Sequence, residues 1–287
     1  EQKKSENRSS QLVEIVRLLT TLASEQKIKP RTLWKPALAR SIDFAQLGAH
    51  STSPLQNEHI VAQIGIIDDP WRQEQFPLCI DFNKCGNLLI VGNAGSGKTT
   101  LIHTILRQVV GYCSPDKFWF YGLDYSSRML KRYKDLPHCG GILLEEDSAA
   151  LPHFFKLLQG LMTERKKVFS SLGLDDFSAV RHTRQLPLIL VFIDNLSGLL
   201  TSKEIMYQLP SYLKNGPQYG IKFIITESHI NGVPSKVKQE LGERLALHLR
   251  DKYEYGDVLN TKVNFCPLET PGRGLCVVDE RCLEFQA

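Results

Sequence analysis

The sequence predicts an α/β fold with a mainly parallel central sheet flanked by helices on both faces. Two observations carry this. From about residue 58 onward, short and nearly all-apolar runs alternate with longer amphipathic stretches, as expected for strands covered on both sides by crossover helices. One of these runs, 88–92, leads straight into a glycine-rich turn and a helix beginning near Thr99, the strand–turn–helix order of a phosphate-binding loop.

The elements follow in order. Residues 1–10 are polar, and Leu12, Ile15, Leu19 and Leu22 then recur at helical spacing with Glu14, Arg17 and Thr21 off that face, predicting a short amphipathic helix. Lys29-Pro30 ends it. We read 1–55 as an N-terminal linker with an amphipathic helix that packs against a neighbour, or equally as the first helix of the same core. Residues 56–287 form the α/β domain. Its candidate strands are 61–67, 78–82, 88–92, 118–124, 186–194, 222–227, 245–249, 274–278 and 282–285. Its candidate helices are 99–111, 127–134, 149–170, 203–215 and 235–242. No internal repeat or low-complexity tract interrupts them.

Composition excludes several classes. The 287 residues are 42% hydrophobic and 23% charged, which rules out a disordered or collagen-like chain. The net charge of +4 is confined to the front: residues 1–50 hold nine basic and five acidic side chains, leaving 26 of each in the remainder. A neutral α/β domain argues against the broad basic face that tracking a nucleic acid requires. The longest apolar run, 186–193, is too short to span a bilayer, and no signal peptide is visible. A chain opening on Glu rather than Met reads as a piece of a longer protein. Seven cysteines without CxxC spacing read as reduced core thiols of a cytosolic protein, so the Asn7-Arg8-Ser9 and Asn195-Leu196-Ser197 sequons are chance matches.

The strongest motif is Gly92-Asn93-Ala94-Gly95-Ser96-Gly97-Lys98-Thr99-Thr100, which matches GxxxxGK[ST] at every fixed position. Glycines let successive backbone N–H groups converge on phosphate oxygens, reinforced by the positive end of the following helix. Lys98 is expected to reach the β- and γ-phosphates of ATP, and the Thr99 hydroxyl to ligate Mg²⁺.

Such a loop needs a carboxylate at the end of a neighbouring buried strand to hold the Mg²⁺ water shell. Asp194, closing the apolar run 187–193, supplies it. The next residue is Asn195, where many ATPases of this architecture carry the Glu that orients or deprotonates the attacking water. An amide cannot accept that proton, so hydrolysis is expected to be slow or absent unless another carboxylate substitutes.

Further polar groups sit at predicted strand ends, where α/β sheets place ligand sites. Of Thr226, Glu227 and Ser228, one could sense the γ-phosphate, Thr226 being the candidate, and Glu227 is the nearest substitute for the missing glutamate. Asp124 sits near the metal or, more in keeping with its type, caps the next helix. Arg244 and Arg250 are candidate arginine fingers across a subunit interface, or plain surface or core-edge residues. The eight histidines form no HExxH or HxxxH grouping, which indicates no metal beyond Mg²⁺. His103 is expected to face a neighbour from the helix after the loop, and His138-Cys139 to serve a loop rather than nucleophilic catalysis.

Together with the glycine-rich loop, Gly65-Ile-Ile-Asp-Asp-Pro-Trp-Arg-Gln-Glu-Gln, the run 118–124, Leu136-Pro-His-Cys-Gly-Gly, Pro271-Gly-Arg-Gly-Leu and Glu284-Phe-Gln286 resemble the FtsK/SpoIIIE-type ATPase domains of type VII secretion motors, the EssC/EccC family. The resemblance covers 58–287, and Leu33-Trp34 with Pro36 resembles the segment before such a domain. It implies a RecA-like P-loop NTPase fold. It further implies a membrane-anchored protein with several such domains in a row on the cytoplasmic face of the bacterial cell membrane. Those domains export WXG-type proteins, with membrane contact made only by parts outside this chain, and a homo-hexamer is left open. Downstream domains of that family are often degenerate, bind ATP tightly and act in assembly or substrate recognition, and Asn195 beside an intact loop resembles one of these, the second in order. The family also places the Pro-Gly-Arg-Gly segment near the nucleotide, making Arg273 and Gly274, and more weakly Asp68-Asp69-Pro70, candidates for the adenine side. The alternative of the same fold is an active DNA translocase of the FtsK class.

Overall fold

The structure is a computed structural model that describes residues 11–28, 35–48, 59–183, 186–201 and 203–287. The chain divides into two units, Glu1–Pro36 and Ala37–Ala287. In the first, helix α1 (Gln11–Glu25) carries the expected apolar spacing and buries none of its side chains. Leu33-Trp34 lies outside the described residues.

The second unit is built on ten strands. They are β1 (Val61–Asp69), β2 (Glu74–Asp81), β3 (Leu88–Val91), β4 (Phe118–Asp124), β5 (Cys139–Leu144), β6 (Leu188–Asp194), β7 (Ile221–Glu227), β8 (Glu243–Leu247), β9 (Arg273–Val278) and β10 (Arg281–Gln286). They form one sheet in the order β2-β1-β10-β9-β8-β3-β7-β6-β4-β5. From β8 to β5 all neighbours are parallel, whereas β9, β10, β1 and β2 extend the sheet as antiparallel strands. The sheet is therefore mainly parallel, with an antiparallel wing.

Helices α2 (Phe44–Gly48), α3 (Lys98–Tyr112), α4 (Leu151–Leu172), α5 (Phe177–Thr183), α6 (Leu196–Leu199), α7 (Lys203–Asn215), α8 (Ser235–Lys238) and α9 (Lys252–Leu259) complete the unit. Alternation along the central strands sends side chains to two cores. Leu89, Val91, Ile189, Val191 and Ile193 pack on one face with α4, α7 and α9. Leu88, Ile90, Leu188, Leu190 and Phe192 pack on the other with α3 and α5. A strand buried on both faces reads as a continuous apolar run, which is why β3, β6 and β7 were visible in the sequence.

Four expectations change. The helix expected over 127–134 is a single 3₁₀ stretch, Met129–Tyr133. The one over 235–242 shortens to the turn α8, because Val233-Pro234 leads in and a loop to β8 begins at Gln239. Strand β5 was not foreseen: Gly140 and Gly141 hide its pattern, yet Gly140 is required there because a side chain would enter the Tyr121 ring. Helices α5, α6 and α9, of seven, four and eight residues, are too short for periodicity to declare.

Candidate nucleotide-binding site

Strand β3 ends in the middle of the parallel region, between β7 and β8, and the glycine-rich loop leaves from its tip. Both neighbours hold the loop: Gly92 N donates to Glu227 O (3.2 Å) and Asn93 N to His248 O (2.9 Å). Gly97, at φ +103°, turns the chain into α3, a conformation that favours glycine. Gly92 is required on space, since a Cβ would lie 2.5 Å from Ser96 Oγ and 2.8 Å from Leu247 Cβ. From the other side, Gly272 N donates to Ser96 O (2.8 Å).

Lys98 begins α3, and its Nζ donates back to Gly92 O (2.6 Å) and Asn93 O (3.1 Å). Burial lowers its pKa, while the charges of Asp194 and Glu227 pull the other way. Thr99 Oγ1 donates to Asp194 Oδ2 (3.1 Å), with Ser127 Oγ 3.4 Å from the same oxygen. Thr226 Oγ1 donates to Asp194 Oδ1 (2.6 Å). Burial raises the pKa of Asp194, and the Asp124 charge adds to this. The Thr226 and Thr99 hydroxyls and the Lys98 charge oppose it.

Residues of the loop and the start of α3 line a cavity of about 400 Å³ together with Asp194, Asn195, Thr226 and Glu227. Three observations show that these residues fit a magnesium nucleotide. Glycine at 92 lets the loop close tightly on Ser96 and Leu247, where a Cβ would collide. Ser96 Oγ is buried without a hydrogen-bond partner. A hydroxyl and a carboxylate, hard oxygen donors 3.1 Å apart, face the same cavity as Lys98. Magnesium characteristically takes one or two protein oxygens and completes its shell with phosphate and water. Among the described residues no cluster of three His, Cys, Asp or Glu side chains offers another metal site.

The structure gives other sequence candidates different work. Thr226, fully buried, uses its hydroxyl proton on Asp194 and accepts the N–H of Asn195 (3.0 Å), so it positions the carboxylate rather than presenting a free sensor. Asp124 is a cap: its carboxylate accepts the backbone N–H groups of Ser126, Ser127, Arg128 and Leu130. Asn195 stands at φ +73°, and its Nδ2 donates to Tyr125 O (3.0 Å). Ser228 lines the cavity beside Glu227.

Arg273 is 3% exposed and donates to Gln286 Oε1, Glu284 Oε1 and the carbonyls of Leu38 and Ala39. Gly274 lies inside β9, where a Cβ would meet Ala246 O. Within this turn it is Gly272 that touches the loop, and the Arg273 guanidinium is committed to the fold instead of the adenine side. Asp68-Asp69-Pro70 sits at the β1–β2 turn, four strands away from β3, with the Asp69 carboxylate paired to Arg281 (2.8 Å).

Arg244 donates to Leu241 O, Val258 O and Lys238 O, which commits it to the fold and removes it as a finger; Arg250 is exposed just beyond β8. His103 Nδ1 meets Tyr133 Oη (2.8 Å). His138 is buried with Nε2 on Cys113 O (2.8 Å), and Cys139 opens β5. Sequence reasoning passed over Ser197 and Ser127. Ser197 follows the Asp-Asn pair closely enough to have been weighed; Ser127 gave no local signal.

A glycine-rich loop on a central parallel strand, with an acidic strand end one strand removed, defines a P-loop NTPase of the RecA-like type. The chain belongs to the FtsK/SpoIIIE family, whose model matches residues 57–263. Among curated relatives, the ESX-5 secretion system protein EccC5 of Mycobacterium marinum is 28% identical over 270 residues, covering 88% of this chain and 19% of that protein. Among solved structures, EssC (ATPases 2 and 3) from Geobacillus thermodenitrificans superposes with a TM-score of 0.73 at 24% identity, covering 90% of this chain and 47% of that one. The pCW3 conjugation coupling protein TcpA with ATPγS gives a TM-score of 0.66 at 18% identity, covering 96% and 81%. The chain thus spans about a fifth of the curated relative it matches.

Proposed function

We propose that this domain binds Mg-ATP as one ATPase unit of a type VII protein secretion motor of the EccC/EssC kind, hydrolysing it slowly or not at all. The observation that carries the reading is the convergence of Lys98, Thr99 and Asp194 on one cavity whose next wall residue is Asn195. In this reading the backbone N–H groups of the loop and Lys98 hold the phosphates, and Thr99 and Asp194 hold Mg²⁺, which supplies charge neutralisation between the phosphates. Asn195 orients a water through its amide but takes no proton from it.

The EssC relative of known structure carries ATPases 2 and 3 together, which supports a place beside neighbouring domains of one longer protein. That protein is anchored in the bacterial membrane with this domain on the cytoplasmic face, and it exports WXG-type proteins. Among the described residues no helix is long and apolar enough to cross a membrane. Residues 51–287 are charge-neutral, which favours this reading over DNA translocation, where clustered Lys and Arg contact phosphates. The test is to titrate the purified domain with Mg-ATP, then denature it and identify the released nucleotide by chromatography. Intact ATP is expected; absence of binding overturns the reading, and release of ADP alone overturns slow turnover.

A further inference from the structure

We propose that Glu227 is the carboxylate that acts on the attacking water in this site, held for that role by Ser197. The inference rests on the nucleotide-binding reading above and names the residue through which its slow hydrolysis runs.

Placement comes first. Strand β7 lies between β3 and β6, and Glu227 ends it, in register with Val91 at the tip of β3. Its own carbonyl anchors Gly92, while Thr226 before it holds both Asp194 and the Asn195 N–H. Glu227 therefore stands between the glycine-rich loop and the strand end where the customary glutamate is replaced by Asn195. It lines the same cavity as Lys98, Thr99 and Asp194.

The side chain is also built into position. Glu227 is 4% exposed, and its Oε2 accepts from Ser197 N (2.8 Å) and Ser197 Oγ (2.7 Å). Oε1 accepts from Ser228 N (2.6 Å). Gly232 closes the wall behind the pair: a Cβ there would lie 2.8 Å from Ser197 Oγ and 3.3 Å from Glu227 Cδ. An ionised carboxylate offers about four acceptor sites. Three donors leave about one for a water facing the cavity. The other carboxylate lining the cavity, Asp194, is engaged by Thr99, Ser127 and Thr226, and Asp124 is occupied by four backbone N–H groups.

The step balances without a further reactant. A proton of the attacking water passes to the Glu227 carboxylate as its oxygen bonds to the γ-phosphorus. The bond from that phosphorus to the β–γ bridging oxygen breaks, and its electron pair leaves on ADP. The proton then returns from Glu227 to solvent. Ser197 is a positioning residue, acting through Glu227.

The experiment measures Mg-dependent ATPγS affinity and steady-state phosphate release from ATP for the unaltered domain, Glu227→Gln, Ser197→Ala and Ser197→Thr. Glu227→Gln is expected to lose about a hundredfold in turnover, the lower end of what general-base catalysis supplies, with ATPγS affinity at the unaltered value. Ser197→Ala is expected to lower kcat at unchanged KM, and Ser197→Thr, which keeps the hydroxyl, to restore it. Unaltered turnover in Glu227→Gln overturns the proposal. So does absence of any phosphate release from an unaltered domain that binds ATPγS. Absence of ATPγS binding by the unaltered domain overturns the functional reading along with it. Should Glu227→Gln fail to fold, Glu227→Asp carries the test: reduced kcat at unchanged affinity supports the assignment, and an unaltered kcat overturns it.

Discussion

Thr226 Oγ1 donates a 2.6 Å hydrogen bond to Asp194 Oδ1, and the same oxygen accepts the backbone N–H of Asn195 at 3.0 Å. One hydroxyl on β7 thus fixes both the acidic end of β6 and the first peptide beyond it. Thr226→Val preserves shape and removes the donor and acceptor together, leaving a buried carboxylate oxygen and a peptide N–H unsatisfied. The expected loss is about 1–3 kcal/mol of stability, measured by urea denaturation, with Thr226→Ser recovering most of it. A valine variant as stable as the unaltered domain would show that water replaces the hydroxyl.

Lys98 makes its two hydrogen bonds to the carbonyls of Gly92 and Asn93 in its own loop. Lys98→Ala is expected to abolish Mg-ATP binding. The clearest readout is the melting temperature: ligand at about a thousandfold excess over Kd stabilises a protein by about 4 kcal/mol, and that increment should vanish. Retention of the ATP-induced shift would sink the site assignment.

Asn195→Glu places a proton acceptor beside Asp194, where the chain has an amide. With Glu227 already acting on the water, a second acceptor at 195 is expected to raise turnover by well under the roughly hundredfold or more that a general base contributes to a site without one. The backbone at this position has φ +73°, which asparagine tolerates better than glutamate, so a stability loss of about 1 kcal/mol is expected alongside. Phosphate release and urea midpoints measured on the same preparation separate the two effects. An unchanged rate would mean that geometry or a trans-acting arginine, Arg250 being the exposed candidate, limits instead.

How much of this was legible depended on whether the cause is local in sequence. The glycine-rich loop, Asp194 and Asn195 declared themselves because a short span holds the strand, the turn and the polar end together, and α7 followed its periodicity to both ends. Arg273 could not be read in that way. Its partners at Leu38 and Ala39 lie 235 and 234 residues away, so a turn that touches the glycine-rich loop through Gly272 carries a buried guanidinium committed elsewhere. Arg244 is similar: two of its carbonyl partners are nearby in sequence, but only the packing of α9 supplies Val258 O. Glu227 was visible as a polar strand end, while the Ser197 contact that fixes it depends on β7 lying beside β6.

The buried thiols set the response to alkali. Burial pushes the Cys85 thiol from 9.0 to about 12, the Lys222 charge opposing, and likewise raises Cys276 from 9.0 to about 12. Burial also raises the Tyr255 phenol from 10.0 to about 12. In each case the folded value exceeds the unfolded one, so the stabilising contribution is complete below pH 9.0 and is lost as pH rises toward about 12. The slope approaches about 1.4 kcal/mol per pH unit for each group while the unfolded form is ionised and the folded one is not. Lys222, Lys98 and Arg165, whose pKa values burial lowers, have the opposite sign and are outnumbered by the raised thiols and phenols. Urea midpoints should therefore fall between about pH 9 and about pH 12, and the Cys85→Ala, Cys276→Ala double variant should fall less steeply. Equal slopes for the two proteins would show that these thiols ionise in the folded state near their ordinary range.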